Sequence, residues 1–329
     1  MNIFPLNLIP YNSRFDFIRL RWITVAAFVF LTVASLGMMV VNTFPAGRFD
    51  PGNTFNYALD FTGGTVVELR FSKPIDVDGV RSRLATAGYG NAQVQTFGSG
   101  NDLLVRLQPR EGTDQNDAAQ IADEVVQVVT SAENPAQRIS SGYVGPQIGK
   151  ELAENGVYAF LFVLIGFGVY ISFRFEWKFA LAATATTIAD ILIVAGWFAL
   201  SKHDFDLTVL AGILSVLGYS INDKIVVFDR VRENFRAMRA PPREVLNRSI
   251  NQTLSRTIIV SFVAFLTVFA LYLYGGGSLK GMAEAQMIGI VIGTLSSIFV
   301  ACPLLLWLGV SKQDLMPKAR DEAALARRP

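Results

Sequence analysis

Gly218-Tyr-Ser-Ile-Asn-Asp-Lys-Ile-Val-Val-Phe-Asp229 closes an apolar run, residues 207–228, that carries an acid and a base side by side, Asp223 and Lys224. The run is long enough to cross a bilayer as a helix. Ionisable groups at membrane depth are costly, so those kept there face a partner, a cavity or an ion path. With Asn222, Asp223 and Lys224 near one end, this helix reads as part of a polar route through the membrane rather than as an anchor.

The rest of the chain agrees with a membrane assignment. Of 329 residues, 51% are hydrophobic and 17% charged, and the mean hydropathy is +0.38. Six segments have the length and apolarity of a membrane span: 22–41, 156–173, 179–200, 207–228, 257–274 and 285–310. The first follows Arg14, Arg19 and Arg21 and has no small-residue cleavage site behind it, so it is expected to be a signal anchor. Basic residues cluster in the segments that would lie on one side: the N-terminus, Arg174 and Lys178, six arginines between 230 and 248, and the tail after Lys312. The short loops on the other side hold only Lys202 and Lys280. The positive-inside rule then puts residues 1–21 and 311–329 in the cytoplasm and residues 42–155 in the periplasm. Anionic lipid accounts for the basic patches; nucleic acid is not implied.

Residues 42–155 form one soluble region with a strand–helix–strand–strand–helix–strand pattern. Strands are expected at 57–71 (bulged or turned at Gly63-Gly64), 92–97, 103–107 and 137–144, with a Gly98-Ser-Gly-Asn turn in the hairpin. Helices are expected at 76–87, stopping at Gly88, and at 113–130, with Ile121, Val125, Val128 and Val129 on one face. That order is the split βαβ, ferredoxin-like pattern. The chain is therefore read as an α-helical polytopic membrane protein with a 1 + 5 arrangement of spans and one ferredoxin-like α+β periplasmic domain. Residues 156–310 make the five-helix part. Within them, 229–254 is an amphipathic cytoplasmic stretch, broken at Pro241-Pro242 and expected to lie along the membrane surface. Gly156, Gly166, Gly168, Gly289 and Gly293 are expected to let helices approach closely.

Candidate chemistry is confined to the spans. Asp190 sits mid-membrane in the third, Asp223 and Lys224 toward the cytoplasmic side of the fourth, and Arg256 with Thr257 opens the fifth. At ~1.5 Å per residue, Asp223 and Arg256 lie roughly 9 and 12 Å below the centres of their spans, so pairing is possible. Gly218 and Ser220 are expected to loosen the fourth helix. Two readings stand. In one, low dielectric tightens a carboxylate's hold on its proton and a nearby arginine loosens it, which suits a proton path. In the other, a static Asp–Arg pair fixes helix register. Lys224 points about 100° away from Asp223 and is expected to snorkel to the headgroups. The lone His203 and lone Cys302 build no metal site or disulfide, and hydrolytic triads, zinc spacings, P-loops and dinucleotide fingerprints are absent, so no enzyme and no cofactor are expected.

Several stretches together resemble the SecF family, the smaller membrane subunits of the SecD–SecF protein-export complex, within the resistance-nodulation-division superfamily. They are Leu59-Asp-Phe-Thr-Gly-Gly-Thr65, Val144-Gly-Pro146, Gly218 to Asp223, Phe228-Asp-Arg-Val-Arg-Glu-Asn234, Ser249 to Thr257 and Gly293-Thr-Leu-Ser-Ser-Ile-Phe299. The resemblance implies a bacterial inner-membrane subunit that pairs with SecD beside the SecY-E-G channel. Proton flow would move outer domains that hold a translocating unfolded polypeptide. Residue by residue, Asp223 and Arg256 match the family's proposed relay acid and its arginine, with Asp190 at a polar position of the third span. Asn222, Thr257 and Lys224 complete the candidate relay. Lys224 is a departure, since a small hydroxyl residue usually follows the motif aspartate. Two other roles fit the same sequence: a half-transporter exporting lipid or small molecules, and a non-transporting translocon scaffold.

Overall fold

The computed structural model describes residues 15–90, 92–97, 101–107, 115–131 and 133–312. Among them, six helices are long and apolar enough to cross a membrane, disposed as one plus five around a small sheet domain. The spans are α1 (Arg21–Thr43), α5 (Pro146–Arg174), α6 (Trp177–Ser201), α7 (Leu207–Ala237), α8 (Pro242–Tyr274) and α9 (Gly277–Phe299), the last continued by α10 (Ala301–Trp307).

Between α1 and α5 lie β1 (Asn56–Tyr57), a helical turn α2 (Leu59–Thr62), β2 (Gly64–Phe71), α3 (Val77–Thr86), β3 (Gln93–Phe97), β4 (Asp102–Leu107), α4 (Gln115–Val129) and β5 (Ala136–Val144). The sheet order is β3-β4-β2-β5 with every neighbouring pair antiparallel. Its first full strand is flanked by its third and fourth, which is the ferredoxin-like order. Period-2 alternation puts Val67, Leu69 and Phe71 of β2 and Leu103, Val105 and Leu107 of β4 on one face, where Val80, Leu84, Ala122, Val125 and Val129 of the two helices cover them. The expected strand over 57–71 is not continuous. Gly63 and Gly64 take φ values of +72° and +128°, and a helical turn precedes them. β1 pairs instead, in parallel, with β6 (Asp204–Phe205) in the α6–α7 connection. The 98–100 turn lies outside the described residues.

Small residues decide how the spans meet. Along α9, Gly281, Ala285, Gly289 and Gly293 recur every fourth position and face Val209, Gly212, Val216 and Ser220 of α7. Backbone atoms come close enough that a Cβ on Gly212 would stand 2.9 Å from the Met282 carbonyl oxygen. Without a hydrophobic force between helices in lipid, such close packing is what associates them. Gly166 and Gly168 do not take part: a Cβ on either meets open space.

Three other expectations change. The amphipathic stretch after Asp229 does not form separate surface helices; α7 runs on unbroken to Ala237 and α8 starts at Pro242. Val231 and Phe235 on one arm, and Val245, Leu246 and Ile250 on the other, are buried, while Asn234 Nδ2 donates to Ser249 Oγ at 2.8 Å across the hairpin. Apolar faces that would have covered lipid cover each other. Nor is α7 loosened at Gly218, which lies inside a regular helix. The sixth span breaks near Val300, because Pro303 has no N–H for the carbonyl of Phe299. Thr24 Oγ1 of α1 donates to that carbonyl at 3.1 Å instead. Beyond Lys312 the tail lies outside the described residues.

The α7–α9 contact is directly testable. Gly289→Val sets a branched side chain against Val216, itself β-branched and unable to swing away. Overpacking of this kind is expected to cost about 1–3 kcal/mol, seen as a lower thermal midpoint in detergent. Gly166→Val should leave that midpoint unchanged; equal behaviour of the two variants contradicts the packing.

Candidate functional site

The polar residues of the bundle collect where α6, α7 and α9 cross. Asp190 of α6 and Lys224 of α7 are both 0% exposed. Lys224 Nζ donates to Asp190 Oδ2 at 2.7 Å. The same oxygen accepts from Ser296 Oγ of α9 at 2.9 Å and from Ser220 Oγ, and Lys224 Nζ also reaches Ser220 Oγ. Helical spacing explains the α7 side: Ser220 and Lys224 are four apart and share a face. The small-residue packing explains the α9 side, since the register that sets Gly293 against Ser220 brings Ser296 to the carboxylate. A carboxylate in low dielectric needs both an opposite charge and hydrogen bonds, and here it has them.

Lys224 therefore does not snorkel. The ~100° between adjacent helix positions does turn it away from Asp223, as expected. It turns toward α6, where a buried acid offers more than headgroups do. Asp190 and Lys224, expected as separate polar groups, are one ion pair.

Asp223 faces a second polar patch between α7 and α8. It is 3% exposed, and its Oδ2 is buried with no hydrogen-bond partner among the described residues. Lys224 and Arg256 are the cations close enough to act on its charge, and Ser261 of α8 lies near it. Ser261 Oγ also accepts from Tyr219 at 2.8 Å and lies 2.8 Å from Thr294 Oγ1 of α9. Thr257 is buried, and its hydroxyl likewise has no partner among the described residues. Asp190 Oδ1 and Thr187 Oγ1 of α6 share that condition.

Two expected members stand apart. Asn222 is on the exposed face of α7 and adds nothing to either patch. Arg256 is exposed on α8 and makes no ion pair with Asp223 among the described residues. Residues that sequence reasoning missed are Ser220, Ser261, Thr294 and Ser296. Ser220 was within reach, because it lies one turn from both Asp223 and Lys224. Ser261 carries no local signal, and Thr294 and Ser296 stand in a stretch quoted for the resemblance and not as polar partners; ordinary hydroxyls in apolar helices become partners only when the helices meet.

At the sheet-domain end, His203 takes a structural contact. Its Nδ1 lies 2.9 Å from both oxygens of Glu284, to which Trp197 Nε1 donates at 2.7 Å, tying the α6–α7 connection to α9. At the opposite end, residues before α1 dock on α8: Asn247 Oδ1 accepts from Phe17 N at 2.9 Å and Arg243 pairs with Asp16 at 2.9 Å.

Proteins of known family share both the sequence and this arrangement of helices. The family description "Protein export membrane protein SecD/SecF, C-terminal" matches residues 124–311, and "SecD/SecF GG Motif" matches residues 51–75. The protein translocase subunit SecF of Pseudomonas aeruginosa is 43% identical over 311 residues, 93% of this chain and 95% of the relative. That of Escherichia coli O157:H7 is 40% identical, covering 82% of this chain and 84% of the relative. Among solved structures, SecDF of Thermus thermophilus, described as a translocon-associated membrane protein, superposes with a TM-score of 0.78 at 34% identity. The superposition covers 91% of this chain but 39% of that one. A SecDF structure in a super-membrane-facing form gives a TM-score of 0.64 at 34% identity, over 96% of this chain and 40% of that one.

The ion pair gives the sharpest prediction for this site. Lys224→Met strands a buried carboxylate and is expected to destabilise the bundle by roughly 3–5 kcal/mol. Asp190→Asn combined with Lys224→Met should recover most of that loss. Thermal unfolding of the four proteins in detergent forms a double-mutant cycle, and additive losses would show that the pair is not coupled.

Proposed function

Since the chain belongs to the SecD/SecF family of protein-export membrane proteins, and to its SecF members, we propose that it is an accessory subunit of the Sec translocase driven by the proton motive force. In this reading it resides in the bacterial inner membrane and pairs with a SecD subunit beside the SecY-E-G channel. It promotes late steps of export. The one observation that carries a proton role is Asp223, a buried acid that makes no ion pair among the described residues. A carboxylate held by a direct ion pair and two hydroxyls, as Asp190 is at Oδ2, has reason to stay charged; one without an ion pair in low dielectric has reason to exchange a proton.

Several features support the rest. That the chain aligns with two-fifths of a SecDF chain supports a second part, a SecD subunit. Arg256 and Asn222, exposed here, are then residues that the SecD half would cover. Arg256 acts on Asp223 through its field rather than through a direct bond. Lys224 holds Asp190 and also stands close enough to bias Asp223. Most basic residues of the described helix ends gather at one end of the bundle, where Arg174 pairs with Asp229, Lys178 Nζ donates to the Gly309 carbonyl and Lys312 Nζ to that of Arg236. By the positive-inside rule that end is cytoplasmic and the sheet domain is periplasmic. There it would hold an emerging unfolded polypeptide, its strand edges offering backbone groups to an extended chain.

Asp223→Asn, co-expressed with the partner subunit, is expected to leave the protein inserted and to abolish stimulation of export by a proton gradient in membrane vesicles. The ATP-driven fraction should persist. Arg256→Lys keeps the charge without the planar fork and should retain part of the stimulation. Normal gradient-dependent export in Asp223→Asn would leave the scaffold reading in its place.

A further inference from the structure

The Leu59-Asp-Phe-Thr-Gly-Gly turn belongs to the sheet domain, yet its contacts lead into the bundle. Asp60 Oδ2 accepts from the backbone N–H of Leu207, the first residue of α7, at 3.1 Å. That donor is one of the four that a helix leaves unsatisfied at its start. Asp206, the N-cap, accepts from the Val209 N–H at 2.7 Å. One cap therefore comes from α7's own connection and one from a different domain.

The turn cannot move independently of its surroundings. Gly64, at φ +128°, packs so closely on β4 that a Cβ would run into the Leu107 carbonyl. From the other side, a Cβ on Gly149 of α5 would stand 2.9 Å from both the Gly63 nitrogen and the Phe61 carbonyl oxygen. A second link runs beside it. Arg106 of β4 pairs with Asp204, both largely buried, and Asn56 Nδ2 donates to the other oxygen of Asp204 at 2.8 Å. Gln93 of β3 donates to Asn56 Oδ1 at 2.7 Å, the Ala58 N–H donates to the Phe205 carbonyl at 2.9 Å, and Phe55 stacks on Phe205 with centroids 4.6 Å apart. Burial, then Asp60, push the Asp206 carboxyl above its ordinary value, while bonds from Thr208 and Val209 and the Arg106 charge oppose them. Acids are thus crowded against one helix end, held by that end's N–H groups and by one arginine.

We propose that this turn is a transmission joint in which Asp60 is a positioning residue, fixing the axial position of α7 to that of the sheet domain, with Arg106–Asp204 as the second contact. α7 is a single regular helix from Leu207 through Asp223 and Lys224, so a displacement at its start arrives at the ion pair roughly 26 Å away without an intervening hinge. The link to export rests on the proton-driven reading; the joint itself does not.

Two measurements separate the two ideas. In vesicles holding the partner subunit, Asp60→Ala is expected to lower gradient-dependent export about tenfold while sparing ATP-driven export and protein level. Asp60→Asn keeps a side-chain acceptor for the Leu207 N–H and should restore most of it. Asn behaving as poorly as Ala overturns the joint. Hydrogen exchange on the full chain in lipid nanodiscs tests the joint without any proton assay. Asp60→Ala and Arg106→Ala should each speed exchange of the amides of residues 207–210, about fivefold for the lost cap. No change in either overturns the joint even where Asp223→Asn abolishes stimulation. Faster exchange together with normal export in Asp223→Asn upholds the joint and removes the proton drive.

Discussion

A carboxylate with no access to water constrains everything around it, and in this bundle that carboxylate is Asp190. Low dielectric makes a lone charge there costlier than helix packing can offset, so α6 is viable in this position only with a cation and hydrogen-bond donors within reach. α7 supplies Lys224 and Ser220, and α9 supplies Ser296. Those donors arrive together only if α7 and α9 lie almost backbone to backbone, which is what the Gly281, Ala285, Gly289 and Gly293 stripe permits. Close packing and charge satisfaction thus depend on one another. Removing either partner would strand a buried charge, so the pair ties the positions of the three helices to one another.

That arrangement separates the two buried acids chemically although one helix turn of α7 links their surroundings. Asp190 has its charge answered by a direct bond. Asp223 has fields from Lys224 and Arg256, a hydroxyl neighbour and one oxygen unanswered among the described residues. The pair also engages the lysine, so its charge reaches Asp223 as a bias rather than as a bond. Lys224 is thus a fixed cation between the two acids.

α7 therefore has two occupations. Its middle holds the polar patches, and its start is capped partly by a residue of another domain. The GG motif is well placed for this because only glycine tolerates the positive φ at Gly63 and Gly64 together with the approach of β4 and α5. A motif that reads in sequence as a turn is in three dimensions the seat of the sheet domain on the bundle.

Much of this was legible from sequence because it follows from local rules. Span number and the 1 + 5 order follow from apolar length, and the sheet domain's element order from periodicity and turn residues. Asp190, Asp223 and Lys224 stood out because charge in an apolar run is conspicuous wherever it lies. The placement of Asn222 outside, the failure of Arg256 to bond Asp223, the partnership of Lys224 with Asp190 and the roles of Ser220 and Ser296 were decided by tertiary structure alone. So were the straight continuation of α7 past Asp229 and the reach of Asp60 to Leu207. The reason is common to all of them. Hydropathy and helical period say which residues leave water and on which side of their own helix, but a buried polar group's partner depends on how closely and in what register two helices meet. That is set by glycines and hydroxyls whose significance exists only once the helices are together.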